Sequence, residues 1–190
     1  MSRSDPFEPP LDAPYIEASA TATQLENPIR TCRKHLSATL EQFSQLTGVH
    51  MQAIHLLENG CYYPILPRVV TFIVENQIMS QQDLFDSYAL YQFHSRSDFG
   101  RQHEFSHLNT VGDWNGSTSP FEEFRSQIVR VTRTALAKGL CVQPAALYRL
   151  ANNEVKELPT LVQNALQEAG LPLDLVYELN ERTREFYAIR

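Results

Sequence analysis

Residues 39–60 read Thr39-Leu40-Glu41-Gln42-Phe43-Ser44-Gln45-Leu46-Thr47-Gly48-Val49-His50-Met51-Gln52-Ala53-Ile54-His55-Leu56-Leu57-Glu58-Asn59-Gly60. Thr39 is a helix-capping residue, and Leu40, Phe43, Ser44 and Leu46 follow it at helical spacing. Gly48 stops that helix after two turns, because glycine alone enters a left-handed turn without steric cost. A second helix then runs from about Val49 to Glu58, with Val49, Ala53, Ile54 and Leu57 on its inner face, and Asn59-Gly60 ends it. Small Ser44 lets the two helices cross closely. The stretch is therefore a pair of short helices joined by a tight turn.

Working outward, Asn27-Pro28 reads as an N-cap with proline at the first helical position, opening a helix that carries Ile29, Cys32, Arg33 and Leu36. Beyond the loop from Cys61 to Pro64, a fourth helix buries Val69, Val70, Phe72 and Ile73. Ser80 caps a fifth, expected to face inward with Leu84, Phe85, Tyr88 and Tyr91. Before Asn27, prolines 6, 9, 10 and 14 and a small, polar run from Ala18 to Thr23 predict a solvated, disordered tail over 1–26.

The same pattern recurs. An offset of 93 residues sets Thr39 on Thr132, Phe43 on Leu136, Ser44 on Ala137, Val49 on Val142, Ala53 on Ala146, Ile54 on Leu147, Leu57 on Leu150 and Asn59 on Asn152. A one-residue gap then sets Pro67 on Pro159, and a last helix runs from about Pro172 to Tyr187. The expected architecture is all-α, with two five-helix units over 27–95 and 121–190 joined by a connector over 96–120. Asn109, Gly112, Asn115-Gly116 and Ser117 to Pro120 mark that connector as loop.

Phe43, Ser44, Gly48-Val49, Ile54 and Leu57 to Gly60 together resemble the helix-turn-helix of the lambda repressor/Cro family, also called XRE-type, and the second copy resembles it in more diverged form. The resemblance implies two tandem repressor-like bundles and a sequence-specific, duplex-DNA-binding transcriptional regulator of bacterial or phage type, acting as a covalent pseudo-dimer. In the first copy it assigns base reading to His50, Met51, Gln52 and His55, with Thr39 at a helix N-terminus facing phosphate. In the second it assigns DNA contact to Thr132, Arg133, Lys138, Gln143, Tyr148 and Arg149. Cys141 stands there in place of the turn glycine, and Pro144 lies in the first turn of the following helix. Leu40 and Leu56 are apolar where the family carries polar groove-facing residues. They define the alternative, a non-catalytic adaptor or assembly protein with a protein partner at those leucines. A homodimer is a further expected form of assembly.

Charge limits these readings. The net charge is −6, whereas phosphate contact needs Lys and Arg. The acids concentrate in 1–26 (net −4) and 77–120 (net −3), while 27–76 and 121–170 each come to +1. The helix-pair regions are thus near neutral and compatible with DNA. Cys32, Cys61 and Cys141 are odd in number and widely spaced, as expected of buried apolar side chains in a reducing cytoplasm. No apolar run is long enough for a membrane span and the first ten residues do not read as a signal peptide, so the expected location is cytoplasmic.

One motif points elsewhere. His103-Glu104-Phe105-Ser106-His107 matches the H-E-x-x-H pattern of zinc peptidases, with Asp113 where a third ligand can stand. On a helix both histidines would share a face. The connector leaves no room for the sheet and cleft such an enzyme needs, so the segment reads as polar linker and the zinc metallopeptidase ranks third among the functions. We assign no metal ligand, no catalytic residue and no cofactor, and expect no enzymatic activity. Trp114 stands outside the helical pattern, either folded back on a domain or marking a partner contact.

Overall fold

The computed structural model describes residues 25–114, 118–152 and 154–189. Most of the expected tail, together with Asn115, Gly116 and Ser117 of the turn-forming run, lies outside the described residues. Among those described, the fold is all-α, with no strand, and no helix is long and apolar enough to cross a membrane. The chain divides into two compact units, one up to Tyr91 and one from Gln92 onward.

The first unit contains α1 (Pro28–His35), α2 (Leu40–Thr47), α3 (Met51–Glu58), α4 (Pro67–Glu75) and the start of α5 (Gln81–Gln102). Each boundary has a chemical cause. The Asn27 side chain accepts from the Ile29 amide with Pro28 at the first helical position. Thr39 and Gln42 cap α2 reciprocally, side chain to backbone in both directions. Gly48, at φ 62°, ends α2. The next helix starts at Met51 rather than Val49, because His50 is its N-cap and Val49 is buried in the turn. Phe43, Ile54, Leu57, Val69, Ile73 and Leu84 have no exposed surface and form this unit's core, each contributing roughly 1.5–3 kcal/mol of burial. Phe72 packs edge-on against Phe43. Tyr88 is buried as expected, but Phe85 is 37% exposed, since only one narrow stripe of α5 can face the core.

The second unit contains the end of α5, a 3-10 turn at Phe105–His107, α6 (Pro120–Glu123) running into a π turn (Phe124–Val129), α7 (Arg133–Gly139), α8 (Pro144–Ala151), α9 (Thr160–Glu168) and α10 (Leu173–Ala188). The span 96–120 is not merely linker. Phe99, Phe105 and Val111 from it are buried with Phe121, Phe124, Leu136, Leu147, Leu150 and Val162. Arg96, buried itself, donates from Nε to the Leu140 carbonyl at the end of α7 and from Nη1 to Glu168 at the end of α9. At Gly100 a Cβ would fall 1.5 Å from the Ala169 carbonyl oxygen, so the helix and that backbone touch directly. Trp114 folds back to stack edge-on against Phe186 of α10.

The local geometry repeats at the 93-residue offset. Thr39 and Thr132 cap α2 and α7, Gly48 and Cys141 both take the left-handed conformation, and Asn59 and Asn152 are the C-caps of α3 and α8. The gap expected between Pro67 and Pro159 is absent. Helices α4 and α9 stand at the full offset, and Pro159 corresponds to Leu66 as an N-cap. A one-residue difference lies instead in the first helix. Pro28 and Pro120 are 92 apart, whereas the left-handed Ser37 and Arg130 that close those helices are 93 apart. The π turn takes up the extra residue, its i→i+5 bonding lodging one more residue per turn.

Candidate nucleic-acid interface

In the first unit, α3 is held at its C-terminal end. Asn27 Nδ2 donates to the Leu57 carbonyl at 2.8 Å, the Tyr88 hydroxyl, which donates to the Tyr62 carbonyl at 2.8 Å, lies 3.3 Å from the same Leu57 oxygen, and Arg30 Nη2 donates to the Glu58 carbonyl at 3.3 Å. The buried Glu58 carboxylate takes Arg33 Nε at 2.5 Å and Arg30 Nε at 3.4 Å. At the other end, Ser44 Oγ donates to the Val49 carbonyl at 2.6 Å and Arg68 Nη1 to the Gly48 carbonyl at 3.0 Å. These contacts orient α3 and leave one of its faces in solvent.

That face carries Met51, Gln52 and His55, with His50 at its start, all exposed. His50 Nδ1 accepts from the Gln52 amide, and Asn59 Nδ2 lies 3.2 Å from His55 Nε2. Thr39 is exposed and committed to its cap. No Lys or Arg lies on α3, and the nearby cations Arg30 and Arg33 are bound to Glu58. Leu40 is half-buried against the core rather than outward, because the first turn of α2 lies on Phe43's side; Leu56 is half-buried as well.

The second unit distributes charge differently. The position matching Glu58 is Ala151, and the acid moves to Glu122 on α6. Glu122 binds Arg125 and, at 3.1 Å from Oε2, Arg133 Nε, whose guanidinium also sits 5.2 Å from the Tyr148 ring centroid. Arg133 is therefore engaged within the protein. Lys138 on α7 and Arg149 on α8 are exposed and, among the described residues, in no ion pair, and Tyr148 is 50% exposed. Gln143 is the half-buried N-cap of α8 without a side-chain capping bond, and Thr132 caps α7 through the Ala135 amide. The structure thus gathers Arg133, Tyr148 and, one residue on, Arg149 at one helix pair. Glu122 was not singled out in the sequence, and Glu58 entered only as part of the Leu57 to Gly60 motif, with no partner assigned. The only signal for Glu122 was its three-residue spacing to Arg125.

The segment from His103 to His107 does not form the helical metal site its pattern requires. α5 ends at Gln102, Glu104 adopts φ 52°, and Phe105 turns fully into the core. The His103 ring stacks on Phe99, with centroids 4.4 Å apart. Among the described residues, no three metal-ligating side chains come together.

No family model, no curated protein and no solved structure matches the chain.

Proposed function

We propose that the chain binds duplex DNA through α7, its turn and α8, as a helix-turn-helix transcriptional regulator of bacterial or phage type working in the cytoplasm. One observation carries the reading: Lys138, Tyr148 and Arg149 all stand exposed on α7 and α8, neither cation is in an ion pair among the described residues, and this helix pair has the same threonine N-cap and left-handed turn as α2–α3. Exposed cations at such a pair suit phosphate, and an outward Arg on the second helix suits a guanine edge. His50, Met51, Gln52 and His55 would supply a weaker, cation-poor second contact.

The test is a fluorescence anisotropy titration of the full chain against random-sequence duplex at two salt concentrations. We expect binding that weakens with salt, with a log–log slope of about −0.9 per phosphate contact. No binding at low salt would end the reading.

A second reading has its own observation. α3 offers Met51, 48% exposed, without any cation, which suits a protein surface better than phosphate. In that reading the first unit docks a protein partner through Met51 and Leu56.

A further inference from the structure

Two arginines share the Glu122 carboxylate unequally. Arg125 meets it with two nitrogens and also donates from Nη1 to the Val131 carbonyl, so its fork is fully used. Arg133 has Nε alone on Oε2 at 3.1 Å, and its side chain is one-third exposed. Among the described residues, its two terminal nitrogens have no protein partner. Its remaining support is the Tyr148 ring on α8, immediately before Arg149. Arg125 is a brace. Arg133 is a guanidinium parked by one bond, with its bidentate edge unspent, on the helix pair that also carries the exposed Lys138 and Arg149.

We propose that Glu122 is a built-in competitor for nucleic-acid phosphate, holding Arg133 until a duplex phosphate displaces the carboxylate. The proposal rests on duplex binding by α7–α8. A guanidinium pairs bidentately with phosphate, whereas Glu122 offers Arg133 one oxygen already shared with Arg125. Exchange therefore trades a partial contact for a full one, and Glu122 stays neutralised by Arg125. The device lowers affinity for weak, misplaced phosphate arrays and lets a well-positioned phosphate recover it. Burial would by itself raise the Glu122 carboxyl, but hydrogen bonds from Arg125 and Arg133 outweigh this and lower it, so the competitor is ionised at neutral pH.

The experiment compares duplex binding by the full-length wild type, Glu122→Gln, Arg133→Ala and Glu122→Gln/Arg133→Ala, each checked for native circular dichroism. Glu185→Gln, at an exposed acid that is in no ion pair among the described residues, controls for the change in net charge. Glu122→Gln should bind about two- to five-fold more tightly than Glu185→Gln, and the double variant should lose the gain. Arg133→Ala alone should make the salt slope shallower by about one contact. Were Glu122→Gln not to fold, that slope would still decide: an unchanged slope means Arg133 never meets phosphate. Binding by the wild type with Glu122→Gln no tighter than Glu185→Gln overturns the competitor and leaves duplex binding intact. Absence of binding by every protein overturns duplex binding itself and the competitor with it.

Discussion

Gly48 and Cys141 close α2 and α7 with the same left-handed backbone, at φ 62° and φ 51°. The amide of the following valine then reaches back to Ser44 in one pair and to Ala137 in the other. Glycine enters this conformation without cost. A residue with a Cβ loses roughly 1–2 kcal/mol, and at Cys141 that loss is offset by burial of the side chain.

Gly48→Ala should therefore destabilise the first unit by about 1–2 kcal/mol through the backbone alone. The added Cβ would meet only Arg68 Nη1 at 3.6 Å, an ordinary contact with a flexible side chain. Urea denaturation measures this directly. A midpoint unchanged from wild type would show that the turn does not need its glycine.

Gly100→Ala tests a different constraint. The residue is helical, but a Cβ there would collide with the Ala169 carbonyl, leaving no rotamer to relieve it. The end of α5 must lift from α9, loosening Phe99 and the Arg96 contact to Leu140. Overpacking of this kind costs about 1–3 kcal/mol or more. The loss should appear in thermal melts followed by circular dichroism, with amide exchange accelerated at Leu140 and Ala169. A variant as stable as wild type would mean that the helix is not seated on that backbone.

Stability should fall at both pH extremes, for opposite reasons. Glu122 is held below its ordinary value by Arg125 and Arg133, against the effect of its burial. A depressed carboxyl contributes stability above its unfolded pKa of about 4.3, and that contribution is lost as pH falls through the folded value. Burial pushes the Cys32 thiol up to about 12, partly opposed by a backbone hydrogen bond. A raised thiol contributes fully below its unfolded pKa of about 8.5 and progressively less as pH rises from there toward the folded value. Glu122→Gln should flatten the acid limb of an unfolding free energy–pH profile and Cys32→Ala the alkaline limb. Profiles parallel to wild type in both variants would remove these groups as the cause.

What the sequence made legible was local. Asn27, Thr39, Gly48, Asn59 and Ser80 act on backbone groups within a few residues, so the start of α1, both ends of α2, the end of α3 and the start of α5 could be placed from chemistry alone. The long reach of α5 was hidden because its buried stripe passes from Leu84 and Tyr88 to Gln92 and Arg96. Burial of an arginine makes sense only once the Leu140 carbonyl and Glu168 are in place. Phe105 and Val111 were masked by the turn formers around them, and the π turn leaves no mark except one residue of length. At the candidate interface, His50, Met51, Gln52, His55, Tyr148 and Arg149 are exposed as expected, whereas Leu56 and Gln143 are half-buried. The diversion of Arg133 to Glu122, across the left-handed Arg130, was not legible.

Arg149 and Leu56 occupy matching positions on α8 and α3, and this pair separates DNA from protein as the partner. Arg149 is exposed and, among the described residues, in no ion pair, whereas Leu56 is half-buried on a helix without cations. With DNA as partner, Arg149→Ala should weaken specific binding by about 1–3 kcal/mol where it reads a base. Where it touches only phosphate, affinity should fall for all sequences alike and the salt slope should drop by about one. Neither outcome should unfold the protein, since Arg149 is exposed. Leu56→Ala should change duplex affinity less than Arg149→Ala. With protein as partner the order reverses, because losing apolar surface at Leu56 breaks a docking contact while losing a solvated charge at Arg149 does little. Anisotropy on a duplex and co-purification of a stoichiometric partner, both run on the two variants, read out the order. Equal and unchanged behaviour of both variants in both assays would remove the outer faces of α3 and α8 from function altogether.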